Sequence, residues 1–133
     1  MAQFQRTMGR ARAIMRKIEK SDRIVTNIKT AKFKPYVVDG ETLSDQSYLQ
    51  LDDTFPESAG FYIYRMEPGA SSLPHEHTCH EQFLMIEGEL IDNHGYVYKP
   101  GDFVLLKQGT QHNSHTRTGA TIAVFVREIE RNL

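Results

Sequence analysis

At 133 residues, with 39% hydrophobic and 25% charged side chains, the chain has the size and balance of one globular domain, long enough to bury a single core and too short for two. No apolar run approaches the ~20 residues of a membrane span, the basic N-terminus lacks the apolar segment and cleavage site of a secretory signal, and the lone Cys79 cannot form an internal disulfide. A cytoplasmic protein is the resulting expectation.

The net charge of −1 conceals a split: residues 1–35 carry ten basic and two acidic side chains, leaving the remainder at −9. Within that first stretch Phe4, Met8, Ala11, Ile14, Met15 and Ile18 recur every three or four residues between the basic ones. The spacing predicts an amphipathic helix over about residues 3–20. Such a helix can lie on an anionic membrane or nucleic acid, but no base-reading or stacking motif accompanies the charge. The favoured reading is that its stripe packs on the body of the protein or on a partner subunit. Residues 1–35 are thus expected to be a basic helix and linker, and residues 36–133 a β-domain.

From Lys32 onward the periodicity is that of strands. Phe33 to Val38 and Ser47 to Leu51 are separated by Asp-Gly and Asp-Asp turn material, and Phe61 to Met66, β-branched and aromatic, is closed by Pro68-Gly69. A strand at His75 follows, then Gln82 to Leu90, Gly95 to Lys99, Asp102 to Leu106, His112 to Thr116 and Thr121 to Glu128, with Asn93-His94-Gly95 as a hairpin turn. Many short strands at close intervals predict an all-β sandwich or barrel.

One stretch carries chemistry. His75 and His77 are two apart, so on a strand both imidazoles leave from one face and can reach a common point. Glu81 follows across a bend. If alternation continues, Phe83 and Met85 point inward with Glu81, and Gln82, Leu84 and Ile86 point outward. In the preceding strand Phe61, Ile63 and Arg65 share one face and Tyr62, Tyr64 and Met66 the other, with the inward face undetermined. Tyr64 is the candidate for a hydroxyl supporting a metal ligand.

Two stretches resemble the paired motifs of the cupin superfamily. Gly69, His75, His77, Glu81 and Gly88 fit every fixed position of the first motif, and Gly101, Gly109 and His112 fit the second. Lys107 stands where the second motif usually has proline, and Thr116 where it has asparagine. The surrounding run, including Lys-Pro-Gly-Asp and His-Asn-Ser-His, resembles small bacterial cupins of the ChrR type. This chain has no cysteines before the barrel to form the zinc-binding anti-sigma domain of ChrR proteins, so that role does not carry over. The resemblance implies a small β-barrel, a double-stranded β-helix of jelly-roll type, and a metal held by His75, His77, Glu81 and His112. Among the other histidines, His80 is an alternative to Glu81, His94 belongs in a turn, and His115 should face away from His112.

Three imidazoles and a carboxylate suit one divalent transition metal: Fe2+ is favoured, with Zn2+, Ni2+ or Mn2+ as alternatives. Octahedral coordination by four protein ligands leaves two open positions. The leading expectation is therefore a non-haem iron dioxygenase acting on a small carbonyl or aromatic compound in the barrel. Alternatives are a ligand- or metal-sensing module and a non-redox isomerase or lyase. Leu84 and Ile86, with Ile122, Val124 and Val126 or their alternates, offer more outer apolar surface than one helix covers, and a homodimer is expected.

Overall fold

The computed structural model describes residues 13–133. After a single 3-10 turn at Lys20–Asp22, the chain forms twelve strands among the described residues. They are β1 (Lys34–Val38), β2 (Glu41–Gln50), β3 (Gly60–Met66), β4 (His75–Glu76), β5 (Glu81–Gly88), β6 (Leu90–Asp92), β7 (Val97–Tyr98), β8 (Phe103–Leu106), β9 (Gln111–His112), β10 (Ser114–His115), β11 (Ala120–Val126) and β12 (Arg131–Asn132). A six-stranded sheet runs β1-β2-β3-β11-β5-β8, and two three-stranded sheets run β10-β6-β7 and β12-β4-β9. All pairings are antiparallel. The all-β, jelly-roll type of architecture expected from the sequence is the one observed.

β11 is the spine, hydrogen-bonded to β3 on one side and β5 on the other. Its inward side chains Ile122, Val124 and Val126 are buried. They form cross-strand rows with the inner faces of both neighbours: Tyr64, Ile122 and Met85 in one, Tyr62, Val124 and Phe83 in the next. Phe83 and Met85 are buried while Leu84 is exposed, as the alternation after Glu81 predicts. In β3 the inward face, undetermined from sequence, is the one bearing Tyr62, Tyr64 and Met66. Ile86 departs from the pattern because the β5–β11 register shifts between Thr121 and Ile122, passing from Glu87 directly to Met85. A residue left over in this way is a β-bulge, which breaks strict alternation.

Several predicted strands are divided. The Gln82 to Leu90 run breaks at Gly88, where φ is +82° and any Cβ would overlap the carbonyl of Gly119. His112 to Thr116 divides at Asn113, whose backbone exchanges hydrogen bonds with Asn93. β12 has no counterpart in the sequence reading. At the other end, Asp39-Gly40 makes the β1–β2 turn with φ of 51° and 79°, the positive values a tight hairpin requires.

The amphipathic helix expected over residues 3–20 is not found where the structure describes the chain. Residues 3–12 lie outside the described part; residues 13–19 are irregular and lead only to the 3-10 turn. Ile14, Met15 and Ile18 are 101%, 86% and 58% exposed. Without a surface to receive the stripe, one short amphipathic segment lacks the tertiary packing that usually holds such helices. The linker is fastened farther on: Arg65 donates to the Ile28 carbonyl at 2.9 Å and its guanidinium lies 3.7 Å from the Phe33 ring centroid.

Candidate metal centre

β4 and β9 bring the histidines together. Their register sets His75 directly opposite His112. The ladder continues beyond both strands, with His77 donating its N–H to the Thr110 carbonyl at 2.9 Å and accepting at its own carbonyl from Gly109 at 2.8 Å. This continuation keeps His77 extended, so its ring leaves from the same face as that of His75. Nε2 of His77 lies 3.1 Å from Nε2 of His75 and 3.0 Å from Nε2 of His112. His75 and His77 are buried, and His112 is partly so.

The tautomer of His75 is fixed. Its Nδ1 lies 2.7 Å from the Leu73 carbonyl oxygen, which can only accept, so Nδ1 carries the hydrogen and neutral His75 presents a lone pair at Nε2. A single hydrogen on Nε2 of His77 can satisfy only one of its two imidazole neighbours. A cation at the convergence point satisfies all three. Metal–nitrogen bonds of about 2.0–2.1 Å set at right angles separate nitrogens by about 3 Å, which is the spacing seen. The three histidine nitrogens, all within 4.8 Å of one another, can hold a metal ion.

Glu81 opens β5, its side chain buried, with Oε2 3.9 Å from Nδ1 of His77. It belongs to a second group: the ligand atoms of His77, Glu81 and Glu130 lie within 4.8 Å of one another. His77 is therefore the hinge between the three imidazoles and the carboxylates. Burial, and then the charge of Glu130, pushes the Glu81 carboxyl up to about 8. Burial, followed by the neighbouring imidazoles, pushes His77 and His112 down to about 4, with His75 the leading neighbour in each case. Neutral nitrogens beside carboxyls that resist ionisation describe a site short of positive charge, which a divalent ion would supply.

His75, His112 and Glu81 line a cavity of about 330 Å³, at the lower end of the range for small-molecule sites. Phe83, Leu90, Ile122 and Val124 give it apolar walls, and Tyr36, Tyr62 and Tyr64 add hydroxyls. Burial holds all three phenols well above their ordinary value, so they remain protonated. Tyr64, singled out in the sequence as a supporting hydroxyl, lines the cavity but donates to Oε1 of Gln46. Gln46 in turn donates to the Ser71 carbonyl at 2.8 Å.

The remaining histidines lie outside both groups. His80 is exposed and accepts the Gln108 N–H at 2.8 Å; His94 and His115 are exposed. Thr116, in place of the motif's asparagine, is buried and accepts the Gly119 N–H at 3.0 Å, tying down the turn before β11. Sequence reasoning missed Glu130, Gln46 and Tyr36. Glu130 sits in a charged tail with no motif spacing, and Gln46 lies before the strand start assigned from sequence. Tyr36 was within a predicted strand whose facing no local signal fixed.

Residues 21–130 match the family described as the ChrR cupin-like domain. No curated protein matches the chain. Among solved structures, the acetylacetone dioxygenase of Acinetobacter johnsonii aligns with a TM-score of 0.61 at 10% identity, over 86% of this chain and 78% of that one. The polyketide cyclase RemF of Streptomyces resistomycificus aligns at 0.59 and 19% identity, over 90% and 86%. A cupin-fold protein of unknown function from Ralstonia eutropha aligns at 0.56 and 17% identity, over 67% of this chain, which spans only 59% of its length. At these identities the likeness is one of fold.

Proposed function

The chain belongs to the ChrR cupin-like domain family, and from that premise we propose that it is a mononuclear metal-binding cupin and a non-haem dioxygenase acting on a small carbonyl or aromatic compound. The observation that carries this reading is the convergence of three imidazoles, with Nε2 of His77 3.1 Å from that of His75 and 3.0 Å from that of His112, beside a cavity that His75 and His112 line. His75, His77 and His112 would hold the metal, with Glu81, whose Oε2 lies 3.9 Å from Nδ1 of His77, as the fourth candidate ligand. Fe2+ is the favoured ion, and the same donors accept Zn2+, Ni2+ or Mn2+. A bound divalent iron supplies Lewis-acid polarisation of a substrate oxygen and redox chemistry with dioxygen.

The protein's own contribution is orientation and dryness. The Leu73 carbonyl keeps the His75 lone pair at Nε2, a constraint that makes the imidazole a better ligand. Glu81, kept protonated by its burial, would ionise beside a bound cation, whose charge would offset the cost of burying the carboxylate. Phe83, Ile122 and Val124 exclude water from the reacting end. Tyr36 and Tyr62 offer protonated hydroxyls to the polar atoms of a substrate, while Gln46 engages that of Tyr64. The acetylacetone dioxygenase of Acinetobacter johnsonii shares this fold, so small diketones are the first compounds to try.

The test is oxygen consumption by iron-loaded protein with a panel of diketones and phenolic ketones. Uptake with at least one compound, beyond that of free Fe2+, is expected. Absence of uptake with every compound would sink the dioxygenase reading and leave a non-redox isomerase or lyase. One observation favours a second reading, a ligand- or metal-sensing module: Ile14, Met15, Ile24 and Val25 stand exposed ahead of the barrel, where a partner can read them.

A further inference from the structure

β11 is followed by a short return segment that is sewn to the strand bearing His75. Thr78 donates its hydroxyl to the Ile129 carbonyl at 3.1 Å, Arg131 pairs in register with Glu76 and Asn132 with His75, and Leu133 donates to the Pro74 carbonyl at 3.0 Å. An ion pair of 2.6 Å between Arg131 and Glu76 reinforces the register. This strap runs along the cavity, which Ile129, Glu130 and Asn132 help to line.

The strap delivers a carboxylate into the histidine cluster. Oε2 of Glu130 lies 3.2 Å from Nε2 of His75, and its ligand atom falls within 4.8 Å of those of His77 and Glu81. With Nδ1 of His75 donating to Leu73, a carboxylate oxygen and an imidazole lone pair face each other. Two acceptors at that distance repel unless a proton or a cation lies between them.

We propose that Glu130 is a fifth protein ligand to the metal, carried in by the C-terminal strap and replaceable by substrate. The inference rests on the reading of His75, His77, His112 and Glu81 as a metal site. An octahedral ion held by all five side chains has one open position; release of Glu130 provides a second. Glu130 therefore limits the site to one external ligand until a chelating substrate takes its place. The strap is suited to this role, since a two-residue pairing with β4 and a few flanking hydrogen bonds hold it in place.

Cobalt is the probe. Co2+ added to metal-free wild-type protein is expected to bind one ion per chain, and Glu130→Gln is expected to weaken that binding tenfold or more and to alter the visible absorption of the bound ion. Glu130→Asp keeps a carboxylate and should recover part of the affinity, whereas Glu128→Gln, changed at an exposed neighbour, should match the wild type. Affinity within twofold of wild type together with an unchanged spectrum in Glu130→Gln would overturn the proposal while leaving the four-ligand reading intact. Wild-type protein that binds no Co2+ would overturn both.

Discussion

At the scale of single residues, the site sets two opposing pH dependences in the metal-free protein. His77 and His112 are held at about 4 against an ordinary 6.5, so between pH 6.5 and 4 the unfolded chain takes up protons that the folded chain refuses. Stability is therefore fully present above pH 6.5 and falls with acidification. Glu81 is held at about 8 against an ordinary 4.5. The folded state keeps its proton between those values while the unfolded state has lost it, so stability declines as pH rises from 4.5 to 8. Two imidazoles outweigh one carboxyl below pH 6.5, and the carboxyl acts alone above it. Thermal unfolding in excess chelator should give a maximum Tm near pH 6.5; saturating metal should remove the alkaline decline, because it binds the ionised carboxylate. A metal-free Tm that rises steadily to pH 9 contradicts this account. The histidines were legible in the sequence because His-x-His is a local signal on a strand. Glu130 was not, since its place depends on a two-residue strand pairing with residues some 55 positions earlier.

At the scale of elements, the barrel depends on places where regular strands are interrupted. Gly88 ends β5 in a left-handed conformation with its Cα against the Gly119 backbone, where only glycine fits without displacement. Gly88→Ala should cost at least about 2 kcal/mol in urea unfolding, the range for backbone strain combined with a clash. Gly101→Ala, at a positive φ but with open space around the added methyl, should cost less. Equal losses at the two positions would show that the close approach to Gly119 has no consequence. Sequence periodicity located most of the strands but gave only their parity. It could not say which face of β3 looks inward, because Phe61, Ile63, Tyr62 and Tyr64 are all suitable for a core. Nor could it anticipate the bulge at Ile86, which arises from the partner strand's register. The predicted N-terminal helix shows the same limit: an amphipathic pattern reports a stripe to be covered, and over residues 13–19 the structure provides no cover.

At the scale of the whole molecule, the outer face of the large sheet is the surface without a partner. In-register rows cross it: Ile63, Ala123, Leu84 and Phe103 in one, Phe61, Phe125, Gln82 and Leu105 in the next. Phe61 is 60% and Phe103 75% exposed. The outward side chains of β11 are thus Ala123 and Phe125, the alternates of the three that the core absorbs. We propose that a second copy covers this face, since these two adjacent rows carry no charged side chain and can meet their own copies across a twofold axis. Light scattering should then report twice the 15.3 kDa chain mass, and Phe61→Lys with Phe103→Lys should reduce it to one chain without loss of metal; a monomeric wild type contradicts the pairing. Among the described residues no helix is long and apolar enough to cross a membrane. The central claim is that one metal ion sits where His75, His77 and His112 converge beside Glu81. It is tested most directly by metal content per chain after loading with Fe2+ and removal of excess, in wild type and in His112→Ala. One ion per chain in the wild type and less than a tenth of that in the variant is the predicted result; full stoichiometry in His112→Ala would contradict it.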